Sequence, residues 1–303
     1  MLRKWLGILH KKAAIPALNA AKYTDASKRD LALSNSTLPL GRDAQSPAQY
    51  EPGVLFAIPR SESRSEFDFA TLPFHGLDIW NAWELSWLDS KGMPQIATAE
   101  IRVPADTPRL VESKSLKLYL NSFAMTKFAS EDVVRDLIVK DLSHSAGDTV
   151  AVALNRHDDA TASAIQALPG VCLDDMDTGC DAFEVDAGLL HADPGVIVDE
   201  ALHTHLLRSL CPVTGQPDIG SLAVRYMGPR IDREALLRYV VSYRQHNDFH
   251  EACIERMFVD IQQRCGTESL SVYARYQRRG GLDINPFRSN FEYEPENLRL
   301  WRQ

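Results

Sequence analysis

The pattern of apolar and polar residues predicts an α+β fold made of two similar halves, each with an antiparallel sheet. Each half contains two strand-like segments, two helical segments and then two further strand-like segments, so the order ββααββ occurs twice. Short turns between the strands favour antiparallel pairing, and the helices are grouped rather than alternating singly with strands. The halves share negligible sequence identity, so the repeat is architectural only.

The chain of 303 residues is long enough for one large domain or two of ordinary size. Residues 1–70 are rich in Ser, Ala, Pro and Arg and show little periodicity, so we interpret them as an N-terminal arm that is partly irregular. We place a first module at residues 71–190 and a second module, which carries the candidate nucleophile, at residues 191–303.

Turn and capping signals locate the elements of the first module. Lys91 and Gly92 predict a turn between two strands, and Ser130 is a natural N-cap for the second helix. The predicted elements are strands at 83–88 and 95–103, helices at 116–123 and from Ser130 to Leu142, and strands at 149–154 and 183–185.

The second module shows the same order. Asp232 can cap its first helix, and Gly280 and Gly281 precede a final extended piece. The predicted elements are strands at 196–210 and 221–227, a helix after Asp232, a helix that runs from about Asp248 to Ile261, and a strand at 270–276.

Composition and charge exclude several classes of function. The net charge is −8 and the pI is near 5.6, so no overall basic field attracts nucleic acid or an anionic membrane. No segment approaches the ~20 apolar residues of a membrane helix, and the apolar stretch near the N-terminus is too short for a signal segment. Five widely spaced cysteines without a CxxC pair argue against a disulfide framework or a zinc knuckle and favour the cytoplasm.

Residues 209–220 suggest a nucleophile. A predicted strand ends at Cys211, and a loop rich in Pro and Gly carries Asp218 seven residues later. A cysteine at a strand end is held by a rigid element, which suits a nucleophile whose acid partner comes from the loop. From residue types alone, a small buried cysteine beside a turn aspartate is the commoner situation, and Cys253 and Cys265 fit that description better still.

Residues 244–251 contain two histidines four residues apart. A helix would place His246 and His250 on one face, but Asn247 occupies the position that a zincin motif gives to Glu, and no third ligand is evident. We therefore expect no metal here. The His250-Glu251 pair suits a heterocycle, since the carboxylate can accept hydrogen bonds from a guanine-like N–H edge and Phe249 can offer a stacking face. A solvated helix surface is the alternative.

Two further segments favour phosphate binding. Ser113 and Lys114 lie at a predicted helix start, where hydroxyls, a cation and free backbone N–H groups occur together. Arg279 precedes Gly280, which permits close backbone approach to a ligand. The chain has neither a GxGxxG motif nor a Walker loop, so a dinucleotide would bind outside a Rossmann fold.

Taken together, these segments resemble the NADPH-dependent 7-cyano-7-deazaguanine (preQ0) reductase family, in its long, two-module (type II) form. The stretch ESKSLKLY at residues 112–119 resembles the family's signature. Residues 211–221, 246–251 and 275–286 follow in the family's order and approximate spacing. The resemblance covers about residues 72–303.

The resemblance implies the tunnelling fold (T-fold), with which the two ββααββ modules agree. It implies that Cys211 forms a thioimide with the nitrile, that Asp218 donates a proton, and that a base such as His250 helps Cys211 ionise. It also implies contacts to the deazapurine from Val111, Glu112, Ser113, Phe249, His250 and Glu251, and contacts to NADPH from Ser113, Lys114, Arg279 and Gly280.

Such an enzyme consumes two NADPH per turnover, because reduction of a nitrile to an aminomethyl group takes four electrons. It acts in queuosine biosynthesis on a small deazapurine and does not bind nucleic acid directly. We expect a cytoplasmic homodimer without a metal. The alternatives are a cyclohydrolase-like T-fold enzyme, which would need a zinc set, and a catalytically silent purine- or pterin-binding module, which would form no covalent adduct.

Overall fold

Ten strands and five helices form the part of the chain that the computed structural model describes, which comprises residues 46–67, 71–156 and 164–303. The strands are β1 (Ala57–Pro59), β2 (His75–Leu88), β3 (Pro94–Pro104), β4 (Arg109–Val111), β5 (Ala151–Asn155), β6 (Val171–Cys172), β7 (Ala192–Leu210), β8 (Pro217–Ile231), β9 (Ser269–Tyr276) and β10 (Leu282–Ser289). The helices are α1 (Arg60–Arg64), α2 (Ser113–Asn121), α3 (Glu131–Ala146), α4 (Arg233–Ser242) and α5 (His250–Cys265).

A single eight-stranded sheet joins the two halves in the order β5-β3-β2-β10-β9-β8-β7-β6, while β1 and β4 pair separately. The junction is the antiparallel pairing of β2 with β10, which runs from Ala82 opposite Leu282 to His75 opposite Ser289. Gly76 lies at this junction. A Cβ there would fall 1.9 Å from the carbonyl oxygen of Phe287, so only glycine fits. The predicted α+β class is confirmed.

Side-chain caps determine where the helices begin. Glu112 caps α2, and the predicted caps Ser130 and Asp232 accept backbone N–H groups at the starts of α3 and α4. Helices α3 and α5 end at Gly147 and Gly266, both in the left-handed conformation that favours glycine. The predicted helices therefore lie close to the observed ones.

The helices of each half pack on the sheet around a separate apolar core. The first core includes Trp80, Trp87, Ile101, Leu116, Tyr119, Phe123, Ile138 and Leu142. The second includes Leu222, Tyr226, Leu236, Tyr239, Val240, Ile254, Met257, Phe258 and Val272. The helical members of these cores come from α2 and α3 in the first half and from α4 and α5 in the second, and strand residues from the sheet complete each core.

The long β7–β8 hairpin positions the segment that contains Cys211. The hairpin closes where Leu210 pairs with Pro217, so Cys211 lies at its tip. Leu210 donates its backbone N–H to the carbonyl of His246 at 2.8 Å and accepts from the N–H of Asp248 at 3.3 Å. These bonds bring the start of α5 beside the tip.

The predicted return strand at residues 183–185 is wrong. This segment is irregular: Val185 packs against the second core, and the carbonyl of Phe183 accepts from the N–H of Gln245. The short β6 pairs with β7 instead, and in parallel, so the sheet is not wholly antiparallel. Among the described residues, the ββααββ order is thus present in the second half but incomplete in the first.

The two histidines of residues 244–251 do not share a helix. His246 follows the 3₁₀ turn at Tyr243–Gln245 and α5 begins at His250, close to the helix start predicted at about Asp248. The N-terminal arm predicted at residues 1–70 contains β1 and α1 in its described part, whereas residues 1–45 and 68–70 lie outside the described residues. None of the described helices has the length and apolar character needed to cross a membrane.

Candidate active site

A cleft of about 350 Å³, counting the part open to solvent, gathers most of the predicted site residues. Its walls come from both halves of the chain. The lining residues are Trp80, Leu110, Val111, Glu112, Ser113, Cys211, Pro212, Val213, Asp218, Asp248, Phe249, His250, Glu251, Arg279 and Ile284. The structure therefore brings together the predicted nucleophile, the predicted acid and all of the predicted substrate contacts.

Cys211 is held by a tight loop that turns back on it. Its backbone N–H donates to the carbonyl of Gln216, and its carbonyl accepts from the N–H of Gly215, whose φ of +64° requires glycine-like freedom. Burial disfavours the thiolate, but hydrogen bonds from Thr214, Val213 and Arg279 outweigh burial and lower the pKa of the Cys211 thiol. The loop therefore favours the nucleophilic form of the sulfur.

Asp218 lies across the hairpin from Ser209, near the start of β8. Burial raises the pKa of its carboxyl, against the lowering effect of Arg279 and Lys117. Arg279 Nη1 lies 3.1 Å from Asp218 Oδ1, and His250 Nε2 lies 3.6 Å from Oδ2. A raised pKa favours the protonated carboxyl, which suits Asp218 to donate a proton in the cleft that it shares with Cys211.

His250 is a neutral imidazole in this site. Burial, together with the positive charges of Arg279 and Lys117, lowers its pKa to about 3. Its ring contacts Tyr276 edge-on, with 4.0 Å between the ring centroids. A neutral ring beside Asp218 adds no further positive charge next to Arg279 and Lys117.

The carboxylates of Glu112 and Glu251 enter the cleft from different halves. Glu112 is 1 % exposed and accepts the backbone N–H groups of Lys114 and Ser115 at 2.7 and 2.8 Å, so its position is fixed by the start of α2. Glu251 is buried in the first turn of α5, and burial together with the charge of Asp78 raises its pKa to about 8. The two acids can accept hydrogen bonds from opposite sides of one ligand.

The predicted cofactor contacts fall into two groups, those that line the cleft and those that do not. Ser113 and Arg279 line the cleft, whereas Lys114 and Gly280 are not among the lining residues that the described chain supplies. Lys117, one helical turn after Lys114, lies against Gly280: a Cβ at that glycine would be 3.2 Å from Lys117 Cδ. Burial and the neighbouring Arg279 lower the pKa of the Lys117 ammonium. Lys117 is therefore a cation of this site that the sequence analysis missed.

Other lining residues also escaped the sequence analysis. Trp80, Leu110 and Ile284 form apolar walls from β2, β4 and β10, and the Trp80 indole N–H has no hydrogen-bond partner among the described residues. Thr214 lies in the loop between Cys211 and Asp218, but its hydrogen bonds to the Cys211 sulfur could not be inferred from residue types. Nothing in the sequence marks Trp80 as a site residue, because it lies in a run of buried residues along an ordinary strand.

Three side chains of types that bind metals lie together elsewhere on the sheet. Cys172 of β6 and His203 and His205 of β7 each offer a ligand atom, and these atoms lie within 4.8 Å of one another. The group is separate from His246, whose Nε2 lies 3.7 Å from Asp248 Oδ2. None of its three members lines the cleft formed by the described residues.

Comparison with protein families places the chain in the class of nitrile reductases. A family model described as "Nitrile reductase, 7-cyano-7-deazaguanine-reductase N-term" matches residues 46–154, and one described as "QueF-like protein" matches residues 217–295. The chain belongs to the NADPH-dependent 7-cyano-7-deazaguanine reductase family, as the resemblance in its motifs predicted.

Three curated relatives carry that family's name. The protein from Chromohalobacter salexigens is 53 % identical over 281 residues, which is 91 % of this chain and all of the relative. The protein from Ralstonia nicotianae is 50 % identical over 88 % of this chain and 98 % of the relative, and that from Bordetella parapertussis is 51 % identical over 89 % and 100 %. A crystal structure of the archaeosine synthase QueF-Like in the apo form matches at 18 % identity and a TM-score of 0.28, covering 33 % of this chain and 96 % of that one.

The loop around Cys211 yields a prediction about thiol reactivity. Thr214→Val removes a hydroxyl that stabilises the thiolate, so alkylation of Cys211 by iodoacetamide at pH 7 should slow by roughly tenfold, the effect of losing one hydrogen bond to a charged group. Mass spectrometry of the modified peptides measures the rate. Cys253, buried in α5 and with its pKa raised by burial, is the internal control and should stay unreactive. An unchanged rate in the variant would show that Thr214 does not activate the thiol.

Proposed function

We propose that this protein reduces the nitrile of 7-cyano-7-deazaguanine to the aminomethyl group of 7-aminomethyl-7-deazaguanine with NADPH, through a covalent thioimide on Cys211. The observation that carries this proposal is the composition of one cleft. It contains an activated thiol, a carboxyl with a raised pKa and two further carboxylates from opposite halves. The names of the curated relatives support the same reaction.

Cys211 begins the reaction. A nitrile carbon is electrophilic but resists direct reduction, and addition of the thiolate converts the C≡N bond to a C=N bond. The nitrile nitrogen becomes basic as the C–S bond forms. Asp218 is the acid that protonates that nitrogen, a role that the raised pKa of its carboxyl favours. The neutral ring of His250 lies 3.6 Å from Asp218 and has no proton to spare, so solvent reprotonates the carboxyl for the next step.

Substrate recognition rests on Glu112 and Glu251. The guanine-like edge of the deazapurine presents N–H donors, which an ionised carboxylate accepts in pairs. Trp80 and Phe249 provide apolar surfaces for the ring system in the same cleft. Because the two acids belong to different halves, the substrate needs both halves for binding, although the nucleophile comes from the second alone.

Two cations and a hydroxyl group in this region fit a phosphorylated dinucleotide. Arg279 and Lys117 are neighbouring cations, and Ser113, which lines the cleft at the start of α2, offers a hydroxyl. Bound NADPH supplies the hydrides, two molecules being consumed because the overall change takes four electrons. Arg279 also contacts Asp218 and Cys211, so it links cofactor binding to the catalytic groups.

The same proposal includes the fold family, the module boundaries and the cellular role. We assign the T-fold to the chain, with modules at residues 71–190 and 191–303 preceded by an arm at residues 1–70. The two helix pairs packed on one sheet support this assignment. We further propose that the protein acts as a cytoplasmic homodimer in queuosine biosynthesis, on the free deazapurine rather than on RNA, as its acidic net charge favours.

The central test is the covalent adduct. The wild-type protein mixed with 7-cyano-7-deazaguanine without NADPH should gain the mass of one substrate per chain, whereas Cys211→Ala should form no adduct and show no substrate-dependent NADPH oxidation. Cys253→Ala is the matched control and should retain both, since Cys253 is fully buried in the core of α5. Turnover by Cys211→Ala would overturn the covalent mechanism.

The raised pKa of Glu251 predicts a pH-dependent affinity. Below about pH 8 the carboxyl is protonated and must lose its proton to accept two N–H groups, so binding should tighten as the pH rises towards 8 and then level off. From pH 7 to pH 8.5 the ionised fraction rises roughly eightfold, and the affinity should follow. Calorimetry on Cys211→Ala isolates binding from adduct formation. Glu251→Gln in that background should abolish the pH dependence, and tighter binding at low pH would contradict the assignment.

Because Lys117 lies against Gly280, we predict that Lys117 rather than Lys114 contacts NADPH. Lys117→Met should raise the KM for NADPH by about 10- to 150-fold, the range expected when a charge-assisted phosphate contact is lost. Lys114→Met makes the same chemical change one helical turn away and should have a smaller effect, because Lys117 lies against Gly280 and close to the charge of Arg279. Steady-state kinetics at saturating deazapurine measure both. A larger effect at Lys114 would favour the contact predicted from sequence.

A further inference from the structure

The segment at residues 55–64, which includes β1 and α1, contacts the first half of the site through its backbone. Ala57 pairs with Val111, and the carbonyl of Phe56 accepts the N–H of Glu112 at 2.8 Å. The N–H of Phe56 donates to the hydroxyl of Ser115 at 3.0 Å. Backbone pairing on one side and the α2 cap on the other therefore fix the main chain of Glu112.

The same segment contacts the second half through Arg64. The guanidinium donates from Nε and Nη2 to the two oxygens of Glu255 at 2.8 and 2.7 Å, which is the bidentate geometry that fixes both partners. Arg64 also donates to the carbonyl of Ala105 at 2.6 Å, between β3 and β4. Glu255 lies one helical turn after Glu251 on α5, and both side chains are buried. Arg64 thus fixes the helix that carries Glu251 to the first half.

Arg60 and Arg288 complete a buried ionic network around this contact. Arg60 Nη2 donates to Asp78 at 2.5 Å, and Arg288 lies 2.8 Å from both Asp78 and Glu255. Burial disfavours the charged form of Glu255, but Arg288 and Arg64 outweigh burial and lower its pKa. The carboxylate stays ionised, so it keeps strong, directional bonds to its arginines.

From these contacts we infer that residues 55–64 act as a strap that fixes the relative position of Glu112 and Glu251, with Arg64 as a positioning residue for the deazapurine. The inference rests on the proposed function, which assigns those two carboxylates to the substrate. Hydrogen bonds from one rigid ligand to two acids tolerate little displacement, so loosening one anchor costs affinity for that ligand. Among the described residues, no hydrogen bond or ion pair joins the strap to Arg279 or Lys117, the cations proposed to bind NADPH, so cofactor affinity should not change.

The first experiment compares Arg64→Met with Arg225→Met. Arg225 forms an exposed ion pair with Asp199 on β7, so its loss is a matched control for removing an arginine–carboxylate contact outside the site. Arg64→Met should raise the KM for 7-cyano-7-deazaguanine at least tenfold, leave the KM for NADPH within twofold, and slow adduct formation at subsaturating substrate. Arg64→Lys, which keeps the charge, should lie between the variant and the wild type. It also serves as the test if Arg64→Met does not fold.

The second experiment separates positioning from stability. If Arg64 acts through Glu251, the KM increase in Arg64→Met/Glu251→Gln should not exceed that in Glu251→Gln alone, whereas independent effects would multiply. An unchanged KM for the deazapurine in both Arg64 variants, or parallel increases in both KM values, would overturn the strap. A wild-type protein that forms no adduct would instead overturn the proposed function, so the two failures are distinguishable.

Discussion

Pairing between β2 and β10 places the first strand of one half beside the last strand of the other, and the cleft exists because of this register. Trp80 and Ile284 face each other across it and form one wall of the cleft. A slip of one residue would turn both side chains to the other face of the sheet. Gly76 excludes such a change by allowing a backbone approach that no other residue permits. The site is therefore a property of the joined sheet rather than of either half.

Buried charges reinforce this junction at a considerable desolvation cost. Asp78 and Arg288 come from β2 and β10, and Glu255 reaches them from α5. A buried ion pair is often no more stabilising than apolar residues of the same size, but loss of one partner costs about 3–5 kcal/mol. The network thus contributes more to specifying one arrangement of strands and helix than to stability. Burial raises the pKa of Glu251, and the charge of Asp78 adds to that effect while Arg60 and Arg288 oppose it, so the same residues that define the geometry tune the site.

Signals from residues that are neighbours in sequence predicted much of this structure. Features that depend on contacts between distant residues were not predicted. The caps at Ser130 and Asp232 and the helical periodicity after them depend on neighbours in sequence, so those helices were located correctly. Residues 183–185 alternate like a strand because Val185 packs on a core. Periodicity alone cannot distinguish such a segment from a strand. The segments around Cys211, Glu112 and Glu251 were found through motifs. Trp80 was missed because its place in the cleft depends on how the halves meet, and Lys117 because its proximity to Gly280 and Arg279 depends on the same junction.

The proximity of Lys117 and Arg279 has a consequence for the protein without its ligands. Two neighbouring cations in a partly buried cleft repel each other, and the lowered pKa of Lys117 reflects that repulsion together with burial. Any anion that binds between them relieves this unfavourable energy and stabilises the folded state by mass action. Phosphate or sulfate in a buffer would therefore act both as a thermal stabiliser and as a competitor of the dinucleotide. The composition of the solvent thus becomes a variable of the apparent cofactor affinity.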